Sequence, residues 1–241
     1  MDSSKFRIPY LDDSFDVDLA SLQHYQLYPS MLPFVGSHYQ RMNKRVLVIG
    51  ESHYLPQGRE AHLTSKNWYD GTAATSLNDV DRAWINTRGT AGSGEDQRYG
   101  SRAFSIYRNV EYAIRELLED DELPTDNYLR YVSYYNYFQR PAETGVSLVL
   151  TDEDNSVAYN HLAGLYKILS PTHLAFVSKL AYNAFWAQYQ SGDFRMREIF
   201  GTPHPSSSWW NRPHQHDYWG EKETMTGRAW FLRRVGGMRL G

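Results

Sequence analysis

One run of residues constrains the fold of this chain more than any other. Val46-Leu47-Val48-Ile49 is an unbroken aliphatic run, rich in β-branched residues, that ends at Gly50. A strand with one wet face alternates apolar and polar residues, whereas a strand of a parallel sheet is covered on both faces and is apolar throughout. The run therefore predicts a buried strand in a mainly parallel sheet.

Strand and helix patterns alternate along the rest of the chain. Strand character recurs in three segments: 128–138, 173–178 and 196–200. Apolar residues at helical spacing predict helices in five others: 17–22, 104–118, 156–169, 179–186 and 218–234. This alternation favours an α/β fold with helices packed around the sheet.

The 241 residues contain no internal repeat and no interdomain linker, so we expect a single domain over 1–241. A polar stretch at about 55–100 shows little periodicity and is interpreted as an insertion or a lid. Its Gly-rich part, Arg88–Gly94, predicts a mobile loop. This part lacks the Gly-Lys-Ser/Thr ending of a phosphate-binding loop.

Composition and charge exclude several classes of protein. There is no cysteine, and therefore no disulfide, thiolate metal site or cysteine nucleophile. No apolar run is long enough to cross a membrane, and Met1–Lys5 lacks a signal-peptide pattern, so we expect a cytoplasmic protein without a membrane partner. Lys and Arg total 25 against 28 Asp and Glu, which disfavours an extended DNA-binding surface. We expect a monomer by default, without a cofactor.

Polar clusters follow three of the predicted strands at their carboxyl ends. They are Gly50-Glu51-Ser52-His53-Tyr54, Tyr134-Tyr135-Asn136 and the segment Pro203–Arg212. Ligands of open α/β sheets bind beyond the carboxyl ends of the strands, so these clusters form the candidate site. Structural turns in the same places would also collect polar residues, and that interpretation stays open.

Four elements in a fixed order resemble the uracil-DNA glycosylase superfamily. A strand ends in the Gly-x-x-x-Tyr loop Gly50–Tyr54, Phe104-Ser105 follows, a strand ends at Asn136, and His204-Pro205-Ser206 comes last. The resemblance implies a three-layer α/β/α sandwich around a mainly parallel central sheet. It also implies an enzyme that hydrolyses the N-glycosidic bond of a damaged base, after flipping the nucleotide into a pocket.

The resemblance assigns roles to particular residues. Phe104 would stack on the base, Asn136 would hydrogen-bond to its edge, and His204 would stabilise charge that develops on a base oxygen. The backbone of Ser206, Ser207 and Ser208 would contact the phosphates, and the Trp209 side chain would contact the strand. Aromatic residues make up 15% of the chain, and those at the predicted strand ends are available to stack a base or wedge a strand. They are Tyr54, Phe104, Tyr134, Tyr135, Trp209 and Trp210.

The first loop departs from the family pattern. The best-known glycosylases carry Gly-Gln-Asp-Pro-Tyr, in which the Asp positions water and offsets the positive charge of the sugar. Here Ser52 stands at the Asp position and His53 at the Pro position, so that negative charge is absent. Glu51 and His53 are therefore the alternative candidates for orienting water, with Ser52 as a substrate contact.

A structural interpretation of each candidate also stays open. Glu51 and His53 are placed to cap a following helix, Phe104 to pack in the core, and Asn136 to stabilise a turn. His204 lies between two prolines in a rigid segment, which favours a functional role.

Three functions are carried forward. The first is an N-glycosidic hydrolase that acts on a base in DNA or in a nucleotide. The second is a non-catalytic protein that binds a nucleobase or nucleic acid on the same fold. The third is an esterase that uses Ser52, because Gly50-Glu51-Ser52 is similar to the start of Gly-Asp-Ser-Leu-type esterases. The late Asp-x-x-His of that family is missing, since Gly201 stands three residues before His204.

Two further sequence patterns are weaker. Gly50–His53 is also similar to a Glu/His loop of erythromycin-esterase-like hydrolases, in that one loop only. His214-Gln215-His216-Asp217 offers imidazoles and a carboxylate, but alternating ligands in a flexible loop make a poor cage for an ion. No bound metal is therefore expected.

Overall fold

The computed structural model describes residues 10–59, 62, 64–92, 104–118, 125–190, 193–194, 198–218 and 221–241. The strands are β1 (Phe34–Val35), β2 (Val46–Gly50), β3 (Tyr54–Leu55), β4 (Ser133–Asn136), β5 (Ala142–Glu143), β6 (His173–Phe176), β7 (Glu198–Gly201), β8 (His214–Tyr218) and β9 (Glu221–Met225). The α-helices are α1 (Asp16–Ala20), α2 (Gln23–Leu27), α3 (Ser65–Tyr69), α4 (Asp79–Trp84), α5 (Thr87–Ala91), α6 (Ser105–Leu118), α7 (Asp152–Leu169), α8 (Lys179–Gln188) and α9 (Gly227–Val235).

A five-stranded sheet forms the centre of the molecule, in the order β1-β4-β2-β6-β7. The strands β4, β2, β6 and β7 are parallel, and only the edge strand β1 runs antiparallel. The predicted mixed α/β fold with a mainly parallel sheet is therefore confirmed. The strand predicted from Val46 to Gly50 is β2, and it lies in the middle of the sheet.

Helices cover both faces of this sheet. Leu47 and Ile49 of β2 pack into a core with α7 and α8, whereas Val46 and Val48 pack into a second core with α6 and α9. Every residue of β2 is therefore buried, which accounts for its unbroken apolar sequence.

Two predicted elements are wrong in part. The strand predicted at 128–138 begins as a 3-10 helix, Tyr128–Tyr131, because the Asn127 side chain accepts the Leu129 N–H and caps that turn. The helix predicted at 218–234 begins only at Gly227. The residues before it pair as the antiparallel hairpin β8–β9, and Thr226 then caps α9 through the Ala229 N–H.

In its described residues, the polar stretch at about 55–100 contains the α-helices α3, α4 and α5, each too short to show periodicity. The loop predicted at Arg88–Gly94 is wrong where the structure describes it, since Thr87–Ala91 is helical. Arg88 is buried, donates two hydrogen bonds to the Asp16 carboxylate at 2.6 and 2.9 Å, and a third to the Pro33 carbonyl at 2.9 Å. Residues 93 and 94 lie outside the described residues, and the role of this stretch as a lid stays a prediction.

The neighbours β2 and β6 continue their parallel register beyond their last paired residues. Ile49 faces Phe176, and the Val177 N–H then donates to the Ile49 carbonyl at 2.8 Å. Glu51 and Ser178 consequently leave the sheet side by side. The helix before β4 and the helix after β6 lie on opposite faces, so a crevice opens here, where α/β sheets bind ligands. Within the described ranges, no helix has the length and apolar character needed to cross a bilayer.

Candidate active site

A pocket of about 620 Å³ opens at the carboxyl ends of the central strands. Its walls come from the segment after β2, the first turn of α6, the end of β4 and the segment after β7. Eight residues predicted from the sequence meet there: Glu51, Ser52, His53, Tyr54, Phe104, Asn136, His204 and Ser206. The four distant segments of the resemblance therefore converge on one cavity.

The remaining predicted residues lie elsewhere. Ser207 and Trp209 line a neighbouring pocket, and Ser208 is exposed at the start of the 3-10 helix Ser208–Trp210. Of the aromatic set, Tyr134 lines the active-site pocket, but Tyr135 lies in the core on the opposite face of the sheet and Trp210 is buried beneath α9. Those two rings do not line this pocket, which corrects the prediction for them.

Glu51 supplies a carboxylate to the pocket wall. Its Oε2 accepts a hydrogen bond of 2.6 Å from the Ser178 hydroxyl, and Ser178 is the N-cap residue of α8, where its Oγ accepts the Ala181 N–H at 3.2 Å. A carboxylate oxygen accepts, so the Ser178 hydroxyl donates its single proton to Glu51 while a lone pair accepts the Ala181 N–H. The second carboxylate oxygen makes no hydrogen bond to any described residue and is available to a ligand or water.

The His204 ring is held as a hydrogen-bond donor. Its Nδ1 accepts the Ser206 backbone N–H at 3.2 Å and lies 2.6 Å from the Ser206 Oγ. A nitrogen that accepts an N–H carries no proton, so the neutral ring bears its proton on Nε2. Burial lowers the pKa of His204, with Glu51 acting in the opposite direction, and the ring is neutral near pH 7.

His53 is buried and occupied by a structural contact. Its Nε2 lies 2.9 Å from the Thr87 Oγ1 of α5, and burial lowers its pKa to about 4. The interpretation of Glu51 and His53 as caps of a following helix is wrong, because the chain continues into β3. The neighbouring Ser52 hydroxyl is buried and has no hydrogen-bond partner among the described residues.

Asn136 is positioned by residues that sequence reasoning missed. Its side chain is hydrogen-bonded to the Tyr107 hydroxyl, and the Tyr107 ring lies 4.5 Å from the ring of Tyr134. A Cβ at Gly50 would lie 2.2 Å from the Asn136 Oδ1 and 2.6 Å from the Tyr134 hydroxyl, so only glycine fits there. The turn after β4 is held by the Asn136 carbonyl, which accepts from Gln139 at 2.6 Å, and the amide group itself faces the pocket.

Phe104 takes part in both of its predicted environments. The ring lines the pocket and also packs, half-buried, against the core beneath α6. Tyr54, on the opposite wall, has 43% of its surface exposed, and burial of the rest together with Glu51 raises the pKa of its hydroxyl. The pocket therefore offers an aromatic ring, an amide, a carboxylate and a neutral imidazole.

The signals for the missed residues differ. Tyr107 stands three residues after Phe104, on the same face of α6, and helical spacing alone would bring it to the pocket. Ser178 and Thr87 required the order of the strands and the position of α5, which no local pattern provides.

Comparison with known proteins returned no match: no family model, no curated protein and no solved structure is similar to this chain. Over the described residues, no group of three or more His, Asp or Glu side chains is arranged to hold a metal ion. The predicted loop at His214–Asp217 belongs to the strand β8.

Proposed function

We propose that this protein is an N-glycosidic hydrolase, resembling the uracil-DNA glycosylases, that removes a base from DNA or from a nucleotide. The observation that carries the proposal is the convergence of Glu51, Phe104, Asn136 and His204 on one pocket. These residues follow the order of the family's elements along the chain. Helices on both faces of a mainly parallel sheet are consistent with the three-layer sandwich that the family implies.

The chemistry assigns one task to each group. Water attacks the sugar carbon, the bond from that carbon to the base nitrogen breaks, and the base departs with the bonding electrons. Glu51 orients the water and accepts its proton, and its negative charge offsets the cationic sugar. The Nε2–H of His204 donates a hydrogen bond to the base oxygen on which negative charge develops. The departing base takes up a proton from solvent and Glu51 returns to solvent the proton it accepted, so a free base and a sugar hemiacetal result.

Glu51 is favoured over His53 as the group that orients water. The Glu51 carboxylate has one oxygen held by Ser178 and the other available, whereas the His53 Nε2 is engaged by Thr87. Ser52 carries no charge and takes the place of the family's Asp. We therefore infer that the catalytic carboxylate has moved by one residue along the loop.

An assay on defined oligonucleotides tests this function. Purified protein is incubated with single- and double-stranded oligonucleotides that contain uracil, hypoxanthine or other altered bases, and abasic sites are detected by alkaline cleavage. We expect an abasic product with at least one substrate, and its loss in Glu51→Gln. No product across the panel, in the presence of an active control glycosylase, would refute the DNA form of the proposal; nucleosides and nucleotides test the other form.

A non-catalytic nucleobase-binding protein is the second candidate, and Ser52 in place of the family's Asp favours it. Thermal-shift measurements with free bases and nucleosides distinguish the two. Stabilisation that persists in the double variant Glu51→Ala/His53→Ala, without turnover by the unmodified protein, would support binding alone.

The esterase candidate is less well supported. A serine nucleophile requires a base within hydrogen-bond reach, and no described residue forms a hydrogen bond with the Ser52 hydroxyl. A fluorophosphonate probe that leaves Ser52 unlabelled would remove this candidate.

A further inference from the structure

A second pocket lies next to the candidate active site, on the other side of His204. It has a volume of about 570 Å³, similar to that of the first pocket, and His204 belongs to the walls of both. Its other walls come from the first turn of α8, the segment after β7 and the strand β8. A ligand that reaches past His204 would therefore occupy both cavities at once.

Aromatic rings line this second pocket. Trp209 has 53% of its surface exposed, and its ring centre lies 5.3 Å from that of His214. Tyr182 forms another wall, and its ring packs on the backbone of Gly201, where a Cβ would lie 2.7 Å from the ring. An exposed indole beside two further rings is suited to stacking against a planar heterocycle.

A positively charged side chain lies on the wall of the second pocket. Lys179 lines the second pocket, is exposed, and forms no ion pair with any described carboxylate. It follows Ser178, whose hydroxyl binds Glu51 of the first pocket, and it opens the ten-residue helix α8. A lysine at the positive end of a helix favours a phosphate group between the cavities.

We propose that the second pocket binds a second nucleobase, so that the substrate is two nucleosides joined by phosphate. This inference rests on the proposed function in one respect, the assignment of the first pocket to the base that is cleaved. The ligand is short, because a chain with a net charge of −3 lacks the surplus of cations that a long polyanion requires. A free dinucleotide and two adjacent nucleotides of a single strand share this chemistry.

Equilibrium binding to the full chain, measured by calorimetry, tests the proposal without any need for turnover. The probes are deoxyuridine monophosphate, the dinucleotide d(UpA), NAD as a dinucleotide linked 5′ to 5′, and a single-stranded 11-mer that contains uracil. We expect a two-base ligand to bind at least about tenfold more tightly than the mononucleotide, as stacking of one more base permits. If d(UpA) and the 11-mer bind more tightly than NAD, the ligand is a nucleic-acid strand. If NAD binds more tightly than both, the ligand is a free dinucleotide with a 5′ to 5′ linkage.

Variants at the aromatic wall locate the second base. Trp209→Ala should weaken two-base binding by roughly 5- to 150-fold, the range of one base–aromatic stack, and leave mononucleotide binding unchanged. Trp209→Phe should restore most of the affinity. Tyr112→Ala, an exposed aromatic residue on the wall of a different cavity, is the matched control and should change neither affinity.

Several results would overturn the inference. They are the absence of binding by every probe, equal affinity for one-base and two-base ligands, and a Trp209→Ala effect that is the same for both. Tight two-base binding without base release would refute the hydrolase and leave the second subsite standing. Cleavage of a nucleoside with no gain from a second base would refute the subsite and leave the hydrolase standing.

Discussion

Two carboxylates, Asp154 and Glu51, occupy contrasting regions of the molecule. Asp154 lies in the first turn of α7, is fully buried, and has both oxygens engaged. Arg140 donates to it at 2.6 and 2.8 Å, the Tyr69 hydroxyl at 2.8 Å, and the Thr151 backbone N–H at 2.9 Å. Its surroundings supply every partner that a buried carboxylate requires.

Glu51, at the carboxyl end of β2, is only half-buried, and its one hydrogen-bond partner among the described residues is the Ser178 hydroxyl. One of its oxygens is left to the pocket. The fully hydrogen-bonded carboxylate therefore stabilises the fold, whereas the partly hydrogen-bonded one at the pocket wall is available for chemistry. Substitutions should therefore separate stability from activity at these two positions.

Removal of the Asp154 carboxylate should have the largest effect on folding. Asp154→Ala leaves the Arg140 guanidinium buried without its partner, and we expect a loss of about 3–5 kcal/mol in the free energy of unfolding. Chemical denaturation measures it. Asp152→Ala, two residues earlier and exposed on the same helix turn, is the matched control. If Asp154→Ala lowers the free energy of unfolding by less than about 1 kcal/mol, the Asp154 carboxylate does not stabilise the fold as described.

Glu51→Gln should show the opposite pattern. Glutamine keeps an oxygen that accepts from Ser178 but is unable to take a proton from water, so the rate should fall by at least about 100-fold. The free energy of unfolding should change by less than about 0.5 kcal/mol. Steady-state rates and denaturation curves of the same preparation give both numbers. Full activity in this variant would remove Glu51 from the mechanism.

Acid should act on the buried histidines and on Asp154 in different pH windows. Burial lowers the pKa of His53, at the pocket, to about 4 and that of His161, in the α7 core, to about 3. The unfolded chain protonates its histidines near pH 6.5, so their contribution is present above that pH and is lost as the pH falls, by about 1.4 kcal/mol per pH unit and group.

The contribution of Asp154 to stability is lost only at a lower pH than that of the histidines. Burial would raise its pKa, but the bonds from Arg140, Thr151 and Tyr69 outweigh burial and lower it. Its contribution is therefore present above the unfolded value of about 3.9 and disappears only below it. Urea titrations between pH 7 and 3 measure both windows. His161→Gln should reduce the pH dependence of the free energy of unfolding between pH 6.5 and 4 and leave it unchanged below about pH 3.9. An unchanged slope between pH 6.5 and 4 would be inconsistent with a buried neutral His161.

The smallest effect concerns the two helix caps. Ser178 caps α8 and Thr226 caps α9 through the same kind of hydroxyl contact, but only Ser178 also binds Glu51. Ser178→Ala and Thr226→Ala should each cost about 1 kcal/mol of stability. Only Ser178→Ala should also reduce activity, by about tenfold, because Glu51 loses the hydrogen bond from the Ser178 hydroxyl. Equal activity of the two variants would show that this hydrogen bond is dispensable.

Local patterns predicted the centre of the fold and most of the pocket. The apolar sequence of β2 is a direct consequence of its two covered faces, and the loops that follow β2, β4 and β7 meet because parallel strands end at one edge. The ordered resemblance pointed to residues of those loops that line one pocket, and their catalytic roles stay a prediction. Glu51, Asn136 and His204 were found in this way.

Non-local packing decided what the sequence did not predict. Ser178 lies 127 residues from Glu51, and only the pairing of β2 with β6 makes them neighbours. The hairpin β8–β9 replaced a predicted helix because its strands satisfy each other's backbone groups. Arg88 sits in a Gly-rich sequence typical of a loop, and its contacts with Asp16 and Pro33 hold that segment as a helix.

The Arg88 contacts couple the early part of the chain to the ligand cavity. Asp16 belongs to α1 and Pro33 to the segment before β1, while Trp84 and Thr90, on either side of Arg88, form part of the pocket wall. A shortened protein that starts at β1 would keep the central sheet but would release one wall of the pocket. Asp16 of α1 and the Pro33 carbonyl thus support one wall of the pocket through Arg88.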